Sequence, residues 1–241
     1  MSDDGFFDAK VALTYDAKHA TPEADIAQMV DRLKELAAGG ATLEFAIGTG
    51  RIALPLAAAG VSVKGIELSQ AMVDEMRKKP GGAAIETIVG DMTTAKMAGD
   101  FALVFLVYNT IDNLTTQDAQ VACFQNAADH LAPGGRFLIE TLVPPIRHLP
   151  PGTPHLAFDK SDTHWGIDTF DLVAQTFTSS HIWIEQTGMS HFSAPFRYAW
   201  PAELDLMARL AGMTLEARWA DWGGAAFTSD SRKHVSVWRK A

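Results

Sequence analysis

Gly48 and Gly50 stand between two apolar stretches, Thr42 to Ile47 and a helix-like run to Ala59, in the pattern Gly48-x-Gly50-x-x-Ala53. Glycines so spaced, after a strand and opening a helix, let the backbone come close to a ligand. Glu67 ends the next apolar run, about 20 residues on, where a carboxylate accepts hydrogen bonds from two ribose hydroxyls. The three residues read as a seat for an adenosine-type ribose. The loop alone leaves a nicotinamide dinucleotide open, and with it an NAD(P)-binding oxidoreductase.

Other residues narrow the chemistry. Glu44 lies inside the first apolar run, where a carboxylate is costly unless paired. Its partner is either a ligand's ammonium group or a buried Lys or Arg. Asp91, in Gly90-Asp91-Met92, follows the third run and is placed to accept from an exocyclic amine of a base. Val107, Tyr108 and Asn109 close a continuous apolar run that starts at Phe101. Tyr15 and Tyr108 offer ring faces on which a cation can rest. No core motif holds an obvious general base. The candidates lie outside: His164, His181, His191, Tyr198 and Tyr15.

The elements that carry these residues follow from periodicity. The first 40 or so residues read as helical, with Ile26, Met29, Val30, Leu33, Leu36 and Ala37 at helical spacing, Thr21 as N-cap and Pro22 at the first helical position. Strands are expected at Thr42–Ile47, Ser62–Leu68, about Ile85–Val89, Phe101–Val107 and Arg136–Leu142, separated by helices that Gly60, Pro80-Gly81-Gly82 and Pro133-Gly134-Gly135 interrupt. That alternation means a parallel sheet covered on both faces. Between about 155 and 199 the period changes to two, as in Asp171–Phe177 and His181–Glu185, which predicts an inserted antiparallel sheet. A helix from about Pro201 to Ala211 and a long-looped hairpin, Thr214–Trp222 with His234–Arg239, close the chain.

Composition excludes other classes. A chain of 241 residues can bury a core without disulfides or metal. Its one cysteine, Cys123, can neither pair internally nor join a zinc cluster, so no metal is expected and the compartment reads as reducing and cytoplasmic. The net charge of -9 argues against nucleic acid as a partner. No apolar run is long enough for a membrane span, and the acidic start, Met1 to Gly5, is unlike a signal peptide. A monomer or homodimer is expected.

With these residues assembled, the sequence resembles the class I S-adenosylmethionine-dependent methyltransferases. The resemblance rests on Leu43-Glu44-Phe45-Ala46-Ile47-Gly48-Thr49-Gly50-Arg51, Gly65-Ile66-Glu67-Leu68-Ser69-Gln70-Ala71-Met72, Gly90-Asp91-Met92 and Leu131-Ala132-Pro133-Gly134-Gly135. Ala46 departs from the glycine many members carry. The resemblance implies a doubly wound, mostly parallel, seven-stranded Rossmann-like sheet with its last strand antiparallel. It implies S-adenosylmethionine as cofactor and S-adenosylhomocysteine as product. Glu44, Ala46, Gly48 and Gly50 would line the methionine end. Glu67 would take the ribose, Leu68 and Met72 would pack beside the adenine, Asp91 would take its amine, and Met92 would cover the ring. Val107, Tyr108 and Asn109 would face the methyl group, and Tyr15-Asp16 would belong to an N-terminal lid. The expected division is a helical lid at 1–40, a cofactor domain at 41–145 and 200–241, and a β insert at 146–199 over a substrate pocket. Inserts of this kind resemble those of the glycine and amino-sugar N-methyltransferases, which implies methyl transfer to a small amine by in-line displacement, with no single histidine indispensable. A silent S-adenosylmethionine-binding protein is the third reading.

Overall fold

The computed structural model describes residues 9–186 and 188–241; residues 1–8, with the acidic start, lie outside them. Two helices lead, α1 (Ala9–Lys18) and α2 (Glu23–Ala37). There follow β1 (Thr42–Phe45), α3 (Ala53–Ala58), β2 (Val63–Glu67), α4 (Gln70–Lys78), β3 (Glu86–Val89), β4 (Phe101–Leu106), α5 (Gln117–His130) and β5 (Leu131–Leu142). Then come β6 (His155–Lys160), β7 (His164–Asp171), β8 (Thr176–Glu185), β9 (Gly188–Arg197), α6 (Pro201–Leu210), β10 (Met213–Trp219) and β11 (Lys233–Lys240).

The main sheet has seven strands in the order β10-β11-β5-β4-β1-β2-β3. The pairs among β1 to β5 are parallel, and β11 runs antiparallel to both β5 and β10. All four residues of β1 are buried, and its apolar neighbours in β4 alternate between two cores. Leu43, Phe45, Val104 and Leu106 face α5 and α6, with Phe124, Phe137 and Trp238 around them. Leu103 and Phe105 face the opposite layer with Leu33, Ile52 and Leu56. Burial on both faces is why these strands carry apolar runs instead of alternation. The second sheet, β6-β7-β8-β9, is wholly antiparallel and enters the chain between β5 and α6.

Three local expectations need correction. Thr21 does not cap α2; its hydroxyl donates instead to the Tyr108 hydroxyl at 3.2 Å. Asp171–Phe177 is not one strand. Asp171 Oδ1 accepts from the amides of Val173 and Ala174, both at 3.0 Å, and Gln175 takes φ +55°, so the segment turns β7 into β8. An apolar residue at a turn tip, Val173 at 97% exposure, had mimicked strand alternation. β5 also begins earlier than Arg136, at Leu131, with a register irregularity near the Pro133-Gly134-Gly135 turn.

Candidate functional site

The loop after β1 and the ends of β2 and β4 meet at one edge of the sheet. A cleft there is lined by Glu44, Ala46, Gly48, Glu67, Met72, Val107 and Tyr108, by Arg51 of the same loop and by Tyr15 of α1. Seven of the residues expected to bind cofactor or face the methyl group thus share one cleft with Tyr15. Gly50, Leu68, Asp91 and Met92 do not line it. A Cβ on Gly50 would lie 2.8 Å from Met76 Cγ, and its φ is +78°, so glycine is required there to seat the loop against α4. Asp91 Oδ1 accepts from the Thr93 amide at 2.8 Å and the Thr93 hydroxyl at 2.7 Å, and the carboxylate is half-buried.

Glu67 organises the loop. Its Oε2 accepts from the Gly48 amide at 2.8 Å and its Oε1 from the Ser69 amide at 2.9 Å. A carboxylate oxygen can accept more than one hydrogen bond, so such a group can take a hydroxyl donor while holding an amide. Glu44 is different. It is 3% exposed, and its Oε2 has no hydrogen-bond partner among the described residues. Burial pushes its carboxyl well above the ordinary range, with Arg51 pulling the other way. An acceptor orphaned inside a cleft calls for a donor from a ligand. Ala46, where glycine was the expected residue of the family, adopts φ +52° and puts its methyl in the same cleft.

Tyr108 and Asn109 both hold left-handed backbone, φ +57° and +58°. For a bulky residue that conformation costs on the order of 1–3 kcal/mol and persists only where neighbours impose it. Glu140, on β5, imposes it: its Oε2 accepts the Tyr108 amide at 2.8 Å and its carbonyl the Asn109 amide at 3.2 Å. The sequence reading missed Glu140. The signal was present, a carboxylate inside the apolar run Phe137-Leu138-Ile139-Glu140, as at Glu44.

The N-terminal helix closes the cleft from above. Asp16 accepts from the Thr49 hydroxyl at 2.5 Å and from Lys79, and Lys79 also donates to the Thr49 carbonyl at 2.7 Å. Arg51 donates to the His19 carbonyl at 2.7 Å, with its guanidinium 4.0 Å from the Tyr108 ring centre and 5.1 Å from that of Tyr15. With Arg51 across it, the cleft holds about 60 Å³ of free space. That is well under the roughly 300–1,000 Å³ of ligand pockets. Burial raises the Tyr15, Tyr108 and Tyr198 phenols, so all three keep their protons near neutrality. Tyr198 packs on Phe170.

Tyr108 belongs also to a second, larger cavity of about 680 Å³, beneath the four-stranded sheet. Asn109, Asp112, Asp168, Phe177, Ser179 and His181 line it. His164 and His181, far apart in sequence reasoning, come together: His164 Nε2 and His181 Nδ1 are 3.0 Å apart, and Asp159 Oδ2 lies 2.6 Å from His164 Nδ1. Burial lowers the pKa of the His181 imidazole, and the neighbouring His164 acts in the same direction. His191 is exposed on β9, 2.9 Å from Ser193 Oγ.

The edge of the sheet thus joins a glycine loop, an acid at the end of β2 and a strained aromatic at the end of β4. Residues 42–135 match a family described as a methyltransferase domain. The CcbJ methyltransferase from Streptomyces caelestis is 35% identical, superposes with a TM-score of 0.84, and 96% of each chain is covered. The chain belongs to the class I S-adenosylmethionine-dependent methyltransferases. The Cypemycin N-terminal methyltransferase of a Streptomyces species is 27% identical over 244 residues, 98% of each chain. The S-adenosylmethionine-bound structure of CalS10, an amino pentose methyltransferase from Micromonospora echinaspora, shares the fold at a TM-score of 0.70, 20% identity and full coverage of both chains. The methyltransferase is therefore an enzyme that uses S-adenosylmethionine. The residues present fit that cofactor: among the described residues Glu44 Oε2 is an unmatched buried acceptor, and the Glu67 carboxylate stands beside Gly48. Among the described residues, no helix is long and apolar enough to cross a membrane.

Proposed function

We propose that this methyltransferase alkylates the nitrogen of a small amine in the cytoplasm. When bound, S-adenosylmethionine supplies a methyl group already activated on a sulfonium. The chain's share is to hold, align and dry. Glu44 accepts from the cofactor's ammonium, and Ala46 and Gly48 pack along its methionine end. Glu67 takes the ribose hydroxyls while holding Gly48. Leu68, Met72, Asp91 and Met92 form the adenine end, and Val107 lies beneath the reacting centre. Tyr108 and Tyr15 present ring faces to the sulfonium, which attracts them by cation–π interaction. Asn109 points the substrate end of the site into the roofed cavity.

The observation that carries this reading is the shared wall. Tyr108 lines both the cofactor cleft and the cavity under the four-stranded sheet, so the two meet at one residue. The aromatic lining of the cavity suits a small molecule, and the relative named as an N-terminal methyltransferase supports nitrogen as the acceptor. The α1 segment and residues 146–199 act as lid and roof. Incubation with S-adenosylmethionine and a library of small amines, read as S-adenosylhomocysteine formed, tests the proposal. Turnover with amines and none with matched alcohols is expected. Turnover confined to alcohols would replace the nitrogen acceptor by oxygen.

A further inference from the structure

Among the described residues, the cavity under the roof carries two carboxylates, one without a hydrogen bond and one with a single serine partner. Asp112 is 6% exposed; among the described residues its carboxylate feels Arg197 but has no hydrogen bond. Arg197 is committed elsewhere, to Gln120 Oε1 and to Glu203 Oε1 at 2.6 Å. Asp168 faces the same cavity from β7; its carboxylate accepts from Ser179, while its Oδ1 is buried with no partner among the described residues. Cross-strand pairing sets Asp168 opposite Ser179, with His181 two residues on and therefore on the same face. Gly166, opposite His181, is kept without a side chain because Phe158 lies over it, 2.2 Å from where a Cβ would be, and Phe158 in turn meets the His181 ring edge-on at 5.3 Å. The wall is thus built around polar groups and not left over from packing.

The charges of the cavity are separated. Its cations, Arg147 and Arg232, are exposed, and Arg147 donates to the carbonyls of Ser229, Asp230 and Ser231. The interior is acidic. A buried acceptor without a donor costs on the order of 1–3 kcal/mol, more for a charged group. Asp112 and the unbonded Oδ1 of Asp168 face one space, where an entering cation would satisfy both.

We infer that Asp112 and Asp168 are the anchor for the substrate's ammonium group, held from the strand-loop side and the roof side at once. The inference rests on the proposed amine acceptor and gives it named residues. It also supplies the proton acceptor. Before the nitrogen can attack, one N–H bond breaks and an O–H bond forms on one of the two carboxylates, leaving a neutral amine and a neutral acid. Burial pushes both carboxyls above their ordinary range, which favours that acid form.

The test uses the whole chain with S-adenosylhomocysteine added, and benzylamine against benzyl alcohol as probes in calorimetry. Benzylamine is expected to bind at least tenfold more tightly than the alcohol. Asp112→Asn and Asp168→Asn should each reduce that preference, and the double variant should abolish it. Melting temperatures give a second readout. Asp112→Asn should melt at or above the wild type, because an unpaired buried acid has been removed. Equal binding of the two probes, no benzylamine heat, a preference that survives the double variant, or an Asp112→Asn protein that melts lower would each overturn the inference. The same titrations report S-adenosylhomocysteine separately. Its binding without benzylamine binding ends this inference alone, whereas its own failure to bind ends the cofactor reading.

Discussion

Replacing Glu67 by alanine removes one side chain and two hydrogen bonds that fix the cofactor loop. The carboxylate is 5% exposed and accepts from Gly48 and Ser69 at 2.8 and 2.9 Å. Hydrogen bonds to a charged group contribute about 1.5–3 kcal/mol each, and two that act through one carboxylate do not add fully. A loss of about 3 kcal/mol is therefore expected, which in a chain of this size lowers the melting temperature by roughly 6–12 °C. The same change deletes the ribose acceptor, so S-adenosylhomocysteine should bind at least about tenfold more weakly, over 1.4 kcal/mol. Glu67→Gln should behave similarly, since its amide NH₂ must face one of two amide donors. Thermal denaturation and calorimetry read the two effects independently. A Glu67→Ala protein melting within about 2 °C of the wild type would refute the loop argument. Unchanged affinity in a folded variant would refute the ribose assignment. The strand-end position of Glu67 alone suggests an intact fold after its loss; the paired amides reverse that expectation.

Three further outcomes follow from the geometry. Glu140→Ala removes the acceptor that holds the Tyr108 amide in left-handed backbone, so methyl transfer should fall at least about tenfold while S-adenosylhomocysteine affinity changes less, as kcat and calorimetry will show. His234 is fully buried, and burial holds its imidazole down to about 4. The unfolded chain binds that proton from pH 6.5 downward and the folded chain does not, so stability should rise with pH between about 4 and 6.5, by about 3 kcal/mol in all, and level off above. Urea unfolding across that window, with His234→Gln flattening the slope, checks it. Replacing His164, His181 or His191 singly should cost less than the roughly 10²–10⁴-fold of a lost general base, and Tyr108→Ala or Asn109→Ala should cost more. A steady-state comparison of the five variants decides this.

Much of the fold was legible because the β/α half of the chain obeys one rule, apolar strands broken by glycine-marked turns. The glycine loop, Glu44 and Glu67 stood out since each is a residue of unusual type at a strand end. What escaped depends on contacts between distant segments. Thr21 carries a helix-cap signature, yet its hydroxyl is drawn to Tyr108, which lies 87 positions away. Asp171–Phe177 alternates like a strand because a turn happened to expose Leu172 and Val173. The pairing of His164 with His181 follows from the register of β7 on β8, and so does the wall formed by Asp168 and Ser179. Gly50 also answers to Met76, a neighbour supplied by α4. In each case the local pattern was correct chemistry for a residue whose partner only folding could supply.

The central claim is that the cleft of Glu44, Gly48 and Glu67 holds S-adenosylmethionine. Calorimetric titration of the purified chain with S-adenosylmethionine, S-adenosylhomocysteine and NAD tests it directly. Saturable heat from the two sulfur nucleosides and far weaker binding of NAD is the predicted result. Tight binding of NAD, with no heat from S-adenosylmethionine, would contradict it.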